Sequence, residues 1–180
     1  MGPTVSDDLS NKTMRRLVVL RHAKSAWPDV PDVQRPLGKR GHRDAPKAGA
    51  WLRDHGRVPD QVLCSPARRT RETWELAATR LAASPPVTYD RRIYDADTTL
   101  LLRAIADSPE GATTLLLIGH CPGVRDLTLH LAGDGSEEEA LERVRTKFPT
   151  SGIAVLEIST SWTGLAAGVG RLTEFAVPRG

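Results

Sequence analysis

Short runs of aliphatic residues alternate along the chain with longer segments in which apolar positions recur at helical spacing. The runs predict six strands, at residues 16–20, 61–64, 87–89, 114–118, 153–158 and 171–177. Strands that alternate with helices are typical of a layered α/β fold with a largely parallel sheet. The last two runs are neighbours in the chain and can pair antiparallel. The pattern therefore predicts an α/β protein with a mostly parallel central sheet flanked by helices.

Apolar positions at helical spacing predict four helices, at residues 44–55, 66–82, 98–107 and 122–132. The first would hold Pro46 in its first turn and stop at Gly56. The second would be capped by Ser65, with Pro66 at the first helical position, where its missing N–H costs nothing. Residues 133–152 are acidic and then basic, which favours a solvated helix or flap before the fifth strand.

The composition is that of one ordinary globular domain. The 180 residues are 39% hydrophobic and 26% charged, and we assign the domain to residues 15–178, after a flexible tail of residues 1–14. Lys and Arg outnumber Asp and Glu by 25 to 22, an excess too small by itself to indicate a nucleic-acid partner. The polar start does not resemble a signal peptide, and no apolar run approaches the roughly 20 residues of a membrane span. We expect a soluble, cytoplasmic protein without a membrane partner.

Polar clusters directly follow three of the predicted strands. Arg21 and His22 follow the first strand, Arg68 and Arg69 come shortly after the second, and His120 follows the fourth. The carboxyl ends of parallel strands meet at one edge of a sheet, and ligands bind in the crevice outside that edge. We therefore expect these side chains to converge on one site.

Arginines and histidines brought together in this way would form an electropositive pocket suited to a phosphoryl group. Arg21 and an arginine of the second cluster can clamp phosphoryl oxygens, because a guanidinium presents a rigid fork of donors. A neutral imidazole can attack phosphorus and carry it covalently, and His22 is the predicted nucleophile. His120 would be its charged partner, donating a hydrogen bond to the transferring group.

The motifs that carry these residues resemble a known family. The stretches LVVLRHAKSAW, SPARRTRET and LIGHCPGV, in this order and each at a strand end, are similar to the histidine phosphatase superfamily. The stretches RPLGKRG and FPTSGIAVLEI are most similar to its small bacterial branch, the SixA-like phosphohistidine phosphatases. The resemblance implies a three-layer, phosphoglycerate mutase-like sandwich, a phosphohistidine intermediate on His22, phosphate-binding Arg21 and Arg69, and a second catalytic histidine, His120.

The same resemblance extends the predicted site and also marks its departures from the family. It places Asp95 in the slot of a general acid, a role that requires burial or a neighbouring carboxylate such as Asp97 to keep the group protonated. Ala23 and Pro28 stand where the family pattern usually has a glycine and a phosphate-binding asparagine. The predicted substrate-binding set is Arg21, Arg69, His120, Cys121 and Ser25.

Two other kinds of phosphate chemistry are disfavoured by the sequence. A cysteine-dependent phosphatase would need an arginine six residues after its nucleophile, and neither Cys64 nor Cys121 has one. A zinc site built from His22, His120 and Cys121 would place the cation among arginines, which repel it. We expect no metal and no cofactor.

The sequence thus predicts a metal-independent phosphoric monoester or phosphoramidate hydrolase that works through a phosphorylated His22. Its expected substrate is protein phosphohistidine or a small phosphoester, so the expected partner is a phosphorylated molecule, including a phosphohistidine-bearing protein. Two alternatives stay open at this stage: a phosphomutase-type transferase, and a non-catalytic module that binds phosphorylated ligands on the same fold.

Overall fold

A six-stranded sheet with helices on both faces makes up the computed structural model, which describes residues 13–179. The strands are β1 (Arg15–Arg21), β2 (Gln61–Cys64), β3 (Val87–Tyr89), β4 (Thr114–Gly119), β5 (Ile153–Ile158) and β6 (Gly170–Ala176). The helices are α1 (Lys39–Asp54), α2 (Arg68–Ala78), α3 (Thr98–Ala106), α4 (Gly123–Leu131) and α5 (Glu138–Thr146). The predicted α/β class is confirmed.

The strands lie in the order β3-β2-β4-β1-β5-β6. Strands β1 to β4 are parallel, β5 runs antiparallel to β1, and β6 pairs antiparallel with β5, as predicted for the last two runs. Arg21 is in register with Gly119, and Cys64 with Ile118. The carboxyl ends of β1, β2 and β4 are therefore level at one edge of the sheet.

Both faces of the sheet are buried, which makes the fold a three-layer sandwich. Leu17 and Val19 of β1 belong to a cluster with apolar residues of α3, α4 and α5. Val18 and Leu20 point to the other face and belong to a cluster with residues of α1 and α2. A strand covered on both sides needs a continuous apolar run, and this explains the unbroken LVVL of β1.

The first helix begins earlier than its apolar period predicts. It starts at Lys39, so Pro46 lies inside the helix, and its placement in the first turn is wrong. Gly49 packs closely against α2, where a Cβ atom on residue 49 would lie 2.0 Å from the carbonyl oxygen of Ala77. Gly56 has a φ of +65° directly after the helix, consistent with the predicted stop.

The second helix begins later than predicted. Its N-cap is Ala67 and its first residue is Arg68, so the assignment of Ser65 as cap and Pro66 as first helical residue is wrong. The Ser65 hydroxyl accepts a 3.3 Å hydrogen bond from the backbone N–H of Ala67, which lies outside the helix, and contacts His120. Ser65, which resembles a helix cap in the sequence, therefore makes a tertiary contact with His120 instead.

The segment between α4 and β5 forms a helix that packs on the domain. Ala140 and Val144 of α5 are buried, and α5 contacts α4 and β6. Most of the predicted N-terminal tail, residues 1–12, lies outside the described residues. Among residues 13–179, none of the helices combines the length and the apolar character required to cross a membrane.

Candidate active site

The backbone of His22 is held from two sides at the end of β1. Its N–H donates to the carbonyl of Gly119 at 3.1 Å, which ties it to the end of β4. The N–H of Ser151 donates to the carbonyls of both Arg21 and His22, at 3.2 and 3.1 Å. The backbone of Ser151 has a φ of +63°, in the left-handed region. The Arg21–His22 pair is thereby fixed between β4 and the turn before β5.

The His22 ring is held as a neutral imidazole with one free nitrogen. Its Nδ1 lies 2.7 Å from the carbonyl oxygen of Ala23, which can only accept, so Nδ1 carries the proton. Burial lowers the pKa of His22 to about 3, outweighing the Ala23 hydrogen bond, while His120, Arg69 and Arg21 lower it further. The unprotonated Nε2 is therefore the ring atom available for the nucleophilic role predicted for His22.

His120 stands beside His22, with the two ring centroids 5.2 Å apart. Its Nε2 lies 2.8 Å from the Ser65 hydroxyl. That oxygen accepts from the Ala67 N–H, so its own proton can be donated to Nε2, which leaves Nδ1–H as the ring's donor. This Nδ1 is buried and has no hydrogen-bond partner among the described residues.

His120 was predicted to be positively charged, but its ring is neutral in the protein without ligand. Burial, and after it the charge of Arg69, lowers the pKa of His120 to about 4, so the ring is neutral near pH 7. A bound phosphoryl dianion would raise this pKa, because a nearby negative charge favours the protonated form.

Arg21 and Arg69 are anchored through their terminal nitrogens. Arg21 donates from Nη1 to the carbonyl of Phe148 at 2.8 Å, and Arg69 donates from Nη1 to the carbonyl of Asp32 at 2.8 Å. The Nε atoms of both arginines are buried and have no hydrogen-bond partner among residues 13–179. Each guanidinium is therefore oriented while retaining an unused donor.

The structure separates the two arginines at the start of α2. Arg69 is buried on the same helix face as Thr73 and Ala77, as the helical period predicts. The Arg68 side chain is 57% exposed and pairs with Glu72 of its own helix. Of the two, Arg69 is the one that reaches the site.

A cavity of about 240 Å³ opens at this edge of the sheet, lined by Asp32, Arg69, Tyr94, Asp95, His120 and Cys121. Asp95 thus lies where its predicted role requires, with a φ of +53°. It is exposed, however, and Asp97 accepts the N–H of Leu100 as the N-cap of α3. The burial that the acid role was predicted to need is absent.

Ser25 and the two cysteines occupy different surroundings. Ser25 is not among the lining residues, and its buried hydroxyl accepts a hydrogen bond from Arg35, so its contact with substrate stays a prediction. Cys121 lines the cavity, and burial raises the pKa of its thiol. Burial raises the pKa of Cys64 to about 12. Among residues 13–179, no group of three His, Cys, Asp or Glu side chains is placed to hold a metal ion.

Sequence reasoning missed four residues of the site. Asp32 and Tyr94 line the cavity, Ser65 orients His120, and Ser151 holds the backbone of His22. The Ser151 hydroxyl is buried and has no hydrogen-bond partner within the described part of the chain. A signal for two of them was available, because Asp32 and Ser151 fall within or beside the RPLGKRG and FPTSGIAVLEI stretches that carry the resemblance.

Comparison with known proteins decides the family. The model of the histidine phosphatase superfamily (branch 1) matches residues 17–99. A solved structure from Nakamurella multipartitia, assigned as the phosphohistidine phosphatase SixA, is 32% identical, with 92% of this chain and 96% of that chain covered and a TM-score of 0.82. This chain belongs to the histidine phosphatase superfamily.

Two further relatives are similar to this chain over most of their length. A structure from Agrobacterium tumefaciens, also assigned as SixA, is 29% identical and covers 91% of this chain and 98% of its own, with a TM-score of 0.76. An uncharacterized protein of Mycobacterium tuberculosis is 43% identical over 89% of this chain and all of its own length. Membership and the SixA-like neighbours support phosphatase activity.

Proposed function

We propose that this protein is a metal-independent phosphatase that forms a covalent phosphohistidine on His22 and acts on phosphohistidine in proteins or on a small phosphoester. Location in the cytoplasm stays a prediction. The observation that carries the proposal is a set of buried polar atoms without partners on residues that lie close to the neutral imidazole of His22. Six buried side-chain polar atoms in residues 13–179 have no hydrogen-bond partner, and four of them belong to Arg21, Arg69, His120 and Ser151.

Unpartnered buried donors are costly, and a native protein keeps them where a ligand satisfies them. Two Nε–H groups and one imidazole N–H are donors of the kind that the oxygens of a phosphoryl group accept. The donors are held by backbone carbonyls and by Ser65, so they need little rearrangement when negative charge shifts in the transition state.

In the first step the lone pair of His22 Nε2 attacks phosphorus. The bond from phosphorus to the leaving atom breaks, and its electron pair goes to the leaving group, which takes up a proton. The product is a phosphoryl group bonded to Nε2, while Nδ1–H keeps its hydrogen bond to Ala23. In the second step water attacks phosphorus, the P–Nε2 bond breaks, and inorganic phosphate leaves.

The side chains that could donate a proton to the leaving group indicate the substrate class. Asp95 lines the cavity but is exposed, and Asp32 is ionised, because the Tyr94 hydroxyl, followed by Arg35 and Arg69, lowers the pKa of its carboxyl. A site poor in acid supports a leaving nitrogen better than a leaving alkoxide, since the nitrogen of phosphohistidine accepts a proton from water. We therefore favour N–P over O–P substrates, with Asp95 as the proton donor for phosphoesters.

The test is turnover of a phosphohistidine peptide and of p-nitrophenyl phosphate in parallel, with EDTA present throughout. We expect release of phosphate from both, faster from the peptide, and a loss of at least about 10³-fold in His22→Ala. His42→Ala is the matched control, because His42 lies on the exposed start of α1 and should keep wild-type rates.

The alternatives give different results in the same assay. A non-catalytic binder would hold phosphate without turnover, and a mutase would return the phosphoryl group to an added alcohol rather than release it. Near-normal turnover by His22→Ala would contradict the mechanism.

A further inference from the structure

Asp32 places a carboxylate in the cavity that is proposed to bind an anion. It sits in a 3-10 turn, Asp32–Gln34, on the segment between β1 and α1. Its Oδ2 accepts hydrogen bonds from Arg69 Nη2 at 3.1 Å and from the Tyr94 hydroxyl at 2.6 Å. The side chain is 52% exposed, whereas that of Arg69 is 8% exposed. The carboxylate therefore lies at the mouth of the cavity, in front of the arginine.

The position of this carboxylate is fixed by a second arginine. Arg35 donates from Nη1 to Asp32 Oδ1 at 3.0 Å and from Nε to the carbonyl of Ala26 at 3.1 Å. The Arg35 guanidinium also stacks 3.2 Å from the ring centroid of Trp27. Bonds to both carboxylate oxygens, together with the Arg69 bond to the Asp32 carbonyl, hold the charge in place.

The cavity therefore has hydrogen-bond donors on one side and carboxylates on the other. The buried wall carries Arg69 and His120, with their unused donors. The exposed wall carries Asp32, Asp95 and the Tyr94 hydroxyl. A phosphoryl group on the donors of the buried wall leaves its substituent on the solvent side, beside the two carboxylates. A negative group there would be repelled, and a positive group or N–H donor attracted.

We infer that Asp32 is a specificity-determining residue: its carboxylate selects phosphorylated substrates whose leaving group is cationic or donates hydrogen bonds, and rejects those with a carboxylate next to the phosphoryl group. The inference rests on the proposed function, since it assumes that the phosphoryl group occupies the buried wall. An imidazole or amine leaving group meets the requirement, and a phosphorylated hydroxy acid does not.

Two ligands with the same two-carbon skeleton test this selection. Phosphoethanolamine carries an ammonium group where phosphoglycolate carries a carboxylate. Their dissociation constants are measured by calorimetry in His22→Ala, so that turnover does not interfere, and inorganic phosphate is measured as the reference. We expect phosphoethanolamine to bind about tenfold more tightly than phosphoglycolate, and Asp32→Asn to reduce this ratio about fivefold or more.

Asp29→Asn is the matched control. Asp29 lies on the same segment, is exposed, and makes no ion pair with the residues that the structure describes. A ratio that is unchanged in Asp32→Asn, or that shifts equally in Asp29→Asn, would overturn the inference. If inorganic phosphate binds while the ratio stays the same, only the role of Asp32 fails. If inorganic phosphate does not bind at all, the proposed function fails with it.

Discussion

The two walls of the cavity are built in different ways. The buried wall lies where parallel strands end: His120 directly follows β4, beside His22 at the end of β1, and Arg69 lies in the first turn of α2. The exposed wall is made by loops, which supply Asp32 and Tyr94 from segments 62 residues apart. Sheet register fixes the first wall, whereas side-chain hydrogen bonds fix the second. The comparison suggests that the strand ends perform phosphoryl transfer and that the loops choose the substrate.

The largest effect expected from breaking the buried wall, apart from loss of the nucleophile, belongs to Arg69→Ala. Arg69 would hold phosphoryl oxygens in both the ground and transition states, so phosphate affinity and turnover should fall together, with kcat/KM reduced about 10²- to 10³-fold. Arg68→Ala is the control at the neighbouring position and should stay within about twofold of wild type. Equal losses of kcat/KM in the two variants would mean that activity depends on the positive charge of the helix and not on the anchored guanidinium of Arg69.

A substitution in the exposed wall should affect substrates unequally. For Asp95→Asn we expect a loss of about tenfold or more with phosphoesters, which need a proton donor, and a small loss with phosphoramidates. The measurement is kcat/KM for an alkyl phosphoester, whose alkoxide needs a proton to leave, and for a phosphohistidine peptide in the same preparation. Equal losses would show that Asp95 is structural, and its assignment as acid would be withdrawn.

Ser65→Ala tests how the buried wall is oriented. Loss of the hydroxyl frees His120 Nε2, so the ring no longer has a fixed tautomer or direction. We expect kcat to fall about three- to tenfold with little change in KM, because the folded chain and the arginines remain. Ser159→Ala, at an exposed position after β5, is the control. A change in KM alone would place Ser65 in ground-state binding instead.

The smallest expected effect concerns pH: His22 should show no protonation between pH 7.5 and pH 5. A histidine with the ordinary pKa of about 6.5 is mostly protonated at pH 5, but burial lowers the pKa of His22 to about 3. Falling pH therefore leaves His22 neutral until well below pH 5. An NMR titration of the ring from pH 7.5 to 5 should show no protonation of His22, and a midpoint near 6.5 would contradict the description of the buried wall.

The same contrast explains what the sequence could predict. Strand β2 was predicted at its observed bounds and β1 within one residue of them, because each is an unbroken apolar run ended by polar residues. His22 follows directly from the end of β1, and His120 from the end of β4, which was also predicted within one residue of its observed bounds. The start of α2 was not predictable, because Ser65 has the chemistry of a cap and only the fold brings His120 to it.

The residues of the exposed wall follow no periodic pattern of apolar positions in the sequence. Asp32 is 37 residues from Arg69 in the chain, and its hydrogen bonds to Arg69 and Tyr94 depend on loop conformations that apolar spacing does not encode. The exposure of Asp95 was likewise not visible in its motif position. The resemblance to the histidine phosphatases indicated which segments matter, but not which of their residues face the cavity.

The most direct test of the central claim is to trap the intermediate. The protein is mixed with phosphohistidine peptide in EDTA, quenched in base within the first turnovers, digested, and mapped for an acid-labile phosphoryl group by mass spectrometry. We expect one phosphorylated site, His22, which disappears in His22→Ala and persists in His42→Ala. Release of phosphate from the peptide with no label on His22 at any time point would contradict it.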